Sequence, residues 1–192
     1  MENVIIHGFA PSTYTRSARM AAIEKGIAHE LVSVAYGKPE HLALHPFGKM
    51  PAMTVGDTTI FETLAIMSEL DDRSGNPTLF GSTPRQKADI LALVSVAVDY
   101  AYRPLVHIEV TDNVPDPDQL AAADRVIYWL EARLGSQPFL AGDDLTAADL
   151  FFAPMLAYHA KQIGEDRTYE KRPGLRRWMD DLGKRASFKE TA

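Results

Sequence analysis

The stretch His45-Pro46-Phe47-Gly48-Lys49-Met50-Pro51-Ala52-Met53 decides how the first third of this 192-residue chain folds. It places Pro51 directly before a short apolar run that is typical of a β-strand. Proline lacks an N–H group and is rarely tolerated in a sheet unless its position is special. A cis Met50–Pro51 peptide bond would turn the N–H and C=O groups of Met50 outward, where they can pair with a short peptide. We therefore predict a backbone clamp at Met50 and Pro51.

The segment Phe61-Glu62-Thr63-Leu64-Ala65-Ile66 comes shortly after this strand and predicts the start of a helix. Backbone N–H groups and the helix dipole at such an N-terminus favour an anionic group. A backbone clamp beside this helix end suits a short charged peptide, so Glu62 and Thr63 are candidate binding residues. Local capping of the helix is the alternative role for both side chains.

Strand and helix signals alternate over the first 75 residues. The apolar runs and turn residues predict strand 4–7, helix 16–25, strand 29–34, helix 39–44, strands 52–55 and 58–61, and helix 62–73. Gly56-Asp57 is the expected hairpin turn between the last two strands. This β-α-β-α-β-β-α order predicts a small α/β domain.

Turn-forming residues fill positions 74–84, with the sequence SGNPTLFGSTP, and mark a linker. Beyond it the strand signal disappears, and only helices are predicted. They span 84–110 with a kink at Pro104, from the cap Asp116 to Gly135, from Thr146 to about 162, and 173–181. We therefore expect an α/β domain at 1–75, a linker at 76–83 and an all-helical domain at 84–192.

The composition excludes several classes of function. A net charge of −6 argues against a nucleic-acid partner. The absence of cysteine excludes disulfides and a protein thiolate nucleophile. The six histidines show no paired spacing, so we expect no metal site. No signal peptide and no apolar run long enough to span a bilayer are recognised, which predicts a cytoplasmic protein without a membrane partner.

Four motifs together resemble the cytosolic glutathione S-transferases over nearly the whole chain. They are Ser12-Thr13-Tyr14, HPFGKMPAM (45–53), FETLAIMSEL (61–70) and GDDLTAADLFFAPML (142–156). The run Pro39-Glu40-His41-Leu42 is similar to the phi and related bacterial branches. The resemblance implies a thioredoxin-like first domain, a helical second domain, a homodimer and a role in detoxification. It also implies glutathione as co-substrate, with no further cofactor, and an apolar electrophile as second partner.

The resemblance implies Ser12 as the residue that activates the glutathione thiol, with Tyr14 as the rival candidate. A free thiol has a pKa of about 8.5, so lowering it to near 7 requires about 2 kcal/mol. A hydrogen bond to a charged group contributes about 1.5–3 kcal/mol and a helix N-terminus about 0.3–1 kcal/mol. One hydroxyl at a helix end is therefore sufficient. The alternative roles are helix capping for Ser12 and packing for Tyr14.

The resemblance also implies which residues bind the rest of glutathione. Glu62 and Thr63 correspond to the acidic and hydroxyl pair that holds the γ-glutamyl amine and carboxylate. Lys49 and Lys38 are candidates for the glycine carboxylate, and His41 is a further one. The segment between residues 34 and 39 is shorter than in related classes, which often carry a glutathione-contacting histidine there. The ligand of the glycine carboxylate therefore stays open among the candidates.

Two further sites follow from the resemblance. Tyr100, Arg103 and Val106 lie on the first helix of the second domain, in the region that lines the electrophile pocket in the family. Burial in the core is the alternative, because aromatic stripes on helices mostly pack inward. Phe47 is either an anchor at a dimer interface or a local core residue.

The predicted activity is conjugation of the glutathione thiolate to electrophilic small molecules. A non-catalytic ligand- or protein-binding member of the same fold is one alternative. A glutathione-dependent isomerase or dehalogenase is another. Thiol–disulfide reductase chemistry is disfavoured because the chain has no cysteine.

Overall fold

The computed structural model describes residues 3–75, 77–112 and 114–192, and the chain divides into two compact units. The first unit contains the residues up to Leu79 together with Lys184–Ala192, and the second is Phe80–Gly183. Residue 76 of the predicted linker lies outside the described residues. The division differs from the predicted one at the C-terminus, since 184–192 belongs to the first unit rather than to the helical one.

The first unit follows the predicted β-α-β-α-β-β-α order. Its elements are β1 (Val4–His7), α1 (Thr13–Glu24), β2 (His29–Val32), α2 (Pro39–Leu44), β3 (Ala52–Val55), β4 (Thr58–Phe61) and α3 (Thr63–Ser74). Helix α1 begins three residues before the predicted start because Ser12 caps it. Helix α2 has Pro39 at its first position, where the missing N–H costs nothing.

A four-stranded sheet with the order β2-β1-β3-β4 forms the centre of the first unit. Strand β1 pairs with β2 in parallel and with β3 in antiparallel orientation, and β3 pairs with β4 in antiparallel orientation. Side chains alternate in burial along β1, where Val4 and Ile6 are buried. Met20 of α1 and Ile66 of α3 are fully buried apolar residues of the same unit. Buried side chains of the sheet and of both helices therefore form the core of this unit, and the loops leave from the ends of the sheet.

A buried ion pair extends the first unit beyond the predicted boundary at residue 75. Lys25 Nζ lies 2.8 Å from Asp71 Oδ1 and also bonds to the carbonyl oxygens of Gly75 and Pro77. The second oxygen of the Asp71 carboxylate accepts a hydrogen bond of 2.7 Å from Thr78, and the Leu79 N–H donates to Oδ1 at 2.8 Å. These bonds hold the segment after α3 against the end of α1.

The second unit is mainly helical, as predicted, and its described residues also form a short β-ladder. Its elements are α4 (Pro84–Val96), a π-helical turn (Ala97–Ala101), α5 (Tyr102–Val106), β5 (Val110–Thr111), β6 (Val114–Pro115), α6 (Pro117–Leu134), α7 (Ala147–Ile163), α8 (Glu165–Tyr169) and α9 (Pro173–Leu182). In the part of the chain that the structure describes, no helix is long and apolar enough to cross a membrane.

The predicted helix over 84–110 was wrong in its continuity and in its C-terminal end. It is interrupted by the π-helical turn and ends at Val106, and Val110–Thr111 pairs with Val114–Pro115 instead. Pro104 gives the physical reason. A proline inside a helix lacks a donor, and its ring crowds the carbonyl four residues earlier, here that of Tyr100. The wider π turn over that position relieves the crowding and takes the place of the predicted kink.

Asp149 organises the core of the second unit. Its carboxylate accepts hydrogen bonds of 2.9 Å from the backbone N–H groups of Leu140 and Thr146, from the Thr146 hydroxyl and from the Trp178 indole. Thr146 and Asp149 form the predicted capping box at the start of α7. Asp149 and Trp178 are fully buried, so one acidic group satisfies donors from three chain segments.

The last helix, α10 (Ala186–Lys189), packs on α1 within the first unit. Arg19 donates to the Glu190 carbonyl at 3.1 Å, and the Arg16 guanidinium lies 5.0 Å from the centre of the Phe188 ring. The sequence analysis did not predict this helix or its partner.

Candidate functional site

The sheet register brings three chain segments to one end of the first unit. His7 at the end of β1 lies beside Ala52 at the start of β3, and Ala52 lies beside Phe61 at the end of β4. Neighbouring strands are about 4.8 Å apart. The loop that precedes α1, the proline segment that precedes β3 and the residues that open α3 therefore leave the sheet side by side.

Two helices begin at this end of the sheet. Helix α1 starts at Thr13 and helix α3 at Thr63, each shortly after a strand that ends there. The first N–H groups of a helix have no partner within the helix, and its dipole makes this end positive. The site therefore favours a ligand with negative charge, such as a thiolate or a carboxylate.

Ser12 is the N-cap of α1 and is half-buried. Its Oγ accepts a long hydrogen bond of 3.4 Å from the Thr15 N–H. The capping role proposed as the alternative is therefore present. It uses a lone pair of the hydroxyl and leaves the O–H proton for a further acceptor. Capping and thiol activation are consequently compatible in the same side chain.

A close contact between Gly8 and Thr15 sets the start of α1 against the end of β1. A Cβ atom added to Gly8 would lie 2.4 Å from Thr15 Oγ1, closer than real Cβ contacts. Thr15 is fully buried, so its side chain serves packing at this point. Tyr14, the rival of Ser12, is the second residue of α1 and is half-buried. Both candidates for thiol activation thus lie on the first turn of α1 or directly before it.

His41 fixes the segment that precedes Pro51. Its Nε2 donates to the Lys49 carbonyl at 2.8 Å, and its Nδ1 accepts from the Gly37 N–H at 3.1 Å. Both ring nitrogens are engaged by backbone, so the imidazole serves structure. The Met50–Pro51 peptide bond is cis, as predicted. Met50 is half-buried and precedes the ladder of β3.

The two lysine candidates for the glycine carboxylate are both exposed. Lys49 directly precedes Met50, so its side chain starts from the end of the sheet where the three segments meet. Lys38 is the N-cap of α2 and makes no side-chain capping bond to the described residues. The backbone of Lys49 therefore lies next to the clamp residue Met50, whereas Lys38 lies at the start of α2.

Glu62 adopts a backbone conformation that is unusual for its residue type. Its φ angle is +71°, in the left-handed region that favours glycine. Within the described part of the chain its side chain makes no capping hydrogen bond to α3, and the side chain is 67% exposed. The capping alternative is therefore wrong for Glu62. Such strain costs about 1–3 kcal/mol and is concentrated at binding and catalytic sites. Thr63, the first residue of α3, is buried beside it.

His45 is a site residue to which the sequence analysis assigned no role. Its Nε2 lies 3.7 Å from Glu62 Oε1, and its ring centre lies 5.0 Å from that of Phe61. Its Nδ1 accepts a long hydrogen bond of 3.4 Å from the Phe47 N–H. Burial lowers the pKa of His45, and the Glu62 carboxylate opposes this shift. The histidine directly before Pro46 was visible in the sequence, but its contact with the start of α3 depends on the packing of α2 against β4.

The remaining candidates have different environments. Phe47 is 74% exposed, which contradicts the alternative of a local core residue. In the second unit, Tyr100 is 69% exposed on the π-helical turn, which contradicts a core role, while Arg103 is exposed and Val106 half-buried on α5. No group of three or more metal-ligating side chains is found among residues 3–75, 77–112 and 114–192.

The strand order, the two helix N-termini and the cis-proline segment define a thioredoxin-like unit followed by a helical unit. Comparison with known families extends this assignment. Residues 11–73 match the family described as glutathione S-transferase, N-terminal domain, and residues 97–181 match the corresponding C-terminal domain.

Individual relatives span almost the whole chain. Glutathione S-transferase F9 of Arabidopsis thaliana is 31% identical, with 92% of this chain and 90% of the relative covered. Glutathione S-transferase F10 of the same plant is 30% identical, with 93% and 91% covered. The crystal structure of poplar glutathione transferase F1 is similar with a TM-score of 0.84 at 27% identity, over 98% of this chain and 96% of that one.

The chain therefore belongs to the glutathione S-transferase family. This confirms the predicted family, the fold class and the prediction of a glutathione transferase enzyme.

Proposed function

We propose that this enzyme holds the sulfur of glutathione as a thiolate through the Ser12 hydroxyl and directs it at an apolar electrophile. The observation that carries the proposal is the position of Ser12. It caps α1 at the end of the sheet from which the proline segment and the start of α3 also emerge. Its capping bond leaves the O–H proton for a sulfur acceptor.

The chemistry needs no general base on the protein. The thiol releases its proton to solvent, and the thiolate accepts a hydrogen bond from Ser12 in the polar field of the α1 N-terminus. These two interactions provide the roughly 2 kcal/mol that lowers the thiol pKa to near neutrality. The sulfur then forms a bond to an electrophilic carbon. In a substitution the leaving group departs with the electron pair of the broken bond. In an addition the displaced π pair moves to a neighbouring atom, which takes a proton from solvent. The enzyme accelerates this step by providing a preformed nucleophile and a fixed orientation.

The rest of glutathione would bind along the first domain, residues 1–75. Glu62 and Thr63 would hold the γ-glutamyl ammonium and carboxylate, which is supported by the strained backbone and exposed carboxylate of Glu62. The backbone of Met50 would pair with the cysteine residue of glutathione, since Met50 precedes the paired residues of β3. Lys49 would bind the glycine carboxylate, with Lys38 as the alternative.

The electrophile would contact Tyr100, Arg103 and Val106 of the helical domain. Exposure of the Tyr100 ring supports this role, because a solvent-facing aromatic side chain is available to an apolar ligand. We further propose that the enzyme is a cytoplasmic homodimer that acts in detoxification, with glutathione as co-substrate and no other cofactor. The exposed Phe47 supports the dimer.

The decisive experiment follows the ionisation of bound glutathione. Thiolate absorbance is titrated against pH in the wild type, Ser12→Ala and Tyr14→Phe, with Ser33→Ala as a control at an exposed hydroxyl. We expect Ser12→Ala to raise the pKa of the bound thiol and to lower turnover of an aryl halide more than glutathione affinity. An unchanged pKa in Ser12→Ala together with a raised pKa in Tyr14→Phe would transfer the role to Tyr14.

A further inference from the structure

We propose that His45 is a positioning residue that directs the Glu62 carboxylate toward the ammonium group of glutathione. The inference rests on the proposed function, because it deepens the role given there to Glu62. The two side chains come from different elements, His45 from the C-terminal end of α2 and Glu62 from the start of α3.

The direction of the contact follows from the other nitrogen of the ring. His45 Nδ1 accepts a hydrogen bond from the Phe47 N–H, so in the neutral ring the proton is on Nε2. Nε2 is also the nitrogen that faces Glu62 Oε1, at 3.7 Å. This separation is longer than the roughly 2.7–3.2 Å of a formed hydrogen bond. His45 therefore presents a donor toward a carboxylate that needs only a small side-chain movement to accept it.

The two partners differ strongly in exposure. The His45 side chain is 2% exposed, whereas that of Glu62 is 67% exposed. The ring is held by Phe61 on one side and by the Phe47 N–H on the other. Among the described residues, the Glu62 side chain makes no capping hydrogen bond to α3. A buried donor beside an exposed carboxylate restricts the orientations that the carboxylate adopts.

A neutral donor suits this task better than a cation. The groups that act on His45 are Glu62, His41 and Lys49, and burial has the largest effect. Together they lower the pKa of His45, so the ring is neutral at neutral pH. A neutral N–H orients the carboxylate and leaves its negative charge for the ammonium of the ligand. An imidazolium would compete with that ammonium for the same carboxylate.

The ring nitrogens also explain why this position is not simply apolar. A phenylalanine at position 45 could also make the tilted ring contact with Phe61. Burying two ring nitrogens is unfavourable unless both are used. Nδ1 accepts from the Phe47 N–H, and Nε2 faces Glu62. The imidazole therefore lies between the segment that leads to Pro51 and the proposed γ-glutamyl site.

The test measures the glutathione dissociation constant by calorimetry in a double-mutant cycle. His45→Phe keeps the aromatic packing and removes the donor, while His45→Gln keeps a donor near the position of Nε2. We expect His45→Phe to weaken binding about three- to tenfold and to raise KM without lowering kcat. His45→Gln should stay within about twofold of the wild type. His45→Phe combined with Glu62→Gln should be no weaker than Glu62→Gln alone.

The outcomes separate this inference from the proposed function. If Glu62→Gln leaves glutathione affinity unchanged, the role of Glu62 itself is refuted. If Glu62→Gln weakens binding but His45→Phe does not, or if the two effects add in the double variant, the positioning role is overturned.

A pH series guards against variants that fold poorly. For S-methylglutathione, whose sulfur does not ionise, affinity for the wild type should fall as the pH is lowered through the pKa of His45, and His45→Gln should lack this step. An identical pH dependence of binding in the wild type and His45→Gln would overturn the inference.

Discussion

Arg185 binds Glu24 through two parallel N–H···O contacts of 2.7 and 2.6 Å, although 161 residues separate the two along the chain. The Ser187 hydroxyl donates to the same carboxylate. A bidentate contact of this kind fixes orientation as well as distance. The C-terminal segment is therefore held against the last turn of α1, the helix that is capped at its other end by the proposed catalytic residue Ser12.

The Glu24 contact predicts acid-dependent release of the C-terminal segment. Burial alone would raise the pKa of Glu24, but the hydrogen bonds from Arg185 and Ser187 outweigh it and bring the pKa below its ordinary value. A carboxylate whose pKa is lower in the folded than in the unfolded state stabilises the fold. This contribution is fully present above the unfolded pKa of about 4.3. It is lost as the pH falls through the folded pKa. We expect the protection of the amides in 184–192, measured as the exchange rate relative to that of an unfolded peptide at the same pH, to fall below about pH 4.

Glu24→Gln should produce the same release at neutral pH. The amide keeps the shape of the carboxylate but removes its charge and one acceptor, at a cost of about 1 kcal/mol because Arg185 is partly exposed. Lys189→Ala, a change at an exposed residue of α10, is the matched control. Equal exchange rates in Glu24→Gln, the control and the wild type would show that the contact does not hold the segment.

Asp149→Asn should destabilise the protein strongly. The new amide would place N–H groups against the Thr146 N–H and hydroxyl, which now donate to Oδ2. A buried donor left without an acceptor costs about 1–3 kcal/mol, so two affected donors should cost about 2 kcal/mol or more. For a chain of this length that corresponds to a loss of roughly 4–8 °C in Tm, measured by calorimetry. Asp144→Asn, at an exposed position, should leave Tm unchanged.

Gly8→Ala should disturb the start of α1 through Thr15. The added Cβ would meet Thr15 Oγ1 at 2.4 Å and Cγ2 at 3.0 Å, and the threonine is fully buried. Overpacking of this kind costs about 1–3 kcal/mol and would shift the start of α1, so kcat should fall. Gly8→Ala with Thr15→Ala removes both obstructing atoms and should recover most of the activity. A single variant as active as the wild type would contradict this account.

Local signals in the sequence were sufficient for most elements of the fold. The Gly56-Asp57 turn predicted both strands of the hairpin with the bounds that the structure has. Pro39 predicted the start of α2, and Thr146 with Asp149 predicted the start of α7. In each case the residues that determine the structure lie within four positions of one another. Short-range patterns capture such cases well.

The features that the sequence did not predict depend on contacts between distant residues. Helix α10 is too short to be stable alone, and its position depends on Arg185 meeting Glu24. Parts of the candidate site also depend on contacts between distant residues and could not be predicted from local sequence. Its motif predicted that Glu62 opens α3, but the positive φ angle of Glu62 and its contact with His45 depend on how α2 packs against β4.

The last prediction concerns Phe47 and the proposed homodimer. The Phe47 ring is 74% exposed, while its backbone N–H is held by His45 Nδ1. An exposed aromatic ring on a fixed loop is a preorganised anchor for a pocket on a second copy.

Truncation of such an anchor costs about 2 kcal/mol or more, so Phe47→Ala should raise the dimer dissociation constant about thirtyfold. Glutathione affinity should fall as well, because the same loop leads into Met50. Sedimentation across a concentration series measures the dimer. Val114→Ala, at an exposed apolar residue of β6, is the control and should leave it unchanged. A wild type that is monomeric at micromolar concentration would refute the dimer, and an unweakened Phe47→Ala dimer would refute only the anchor.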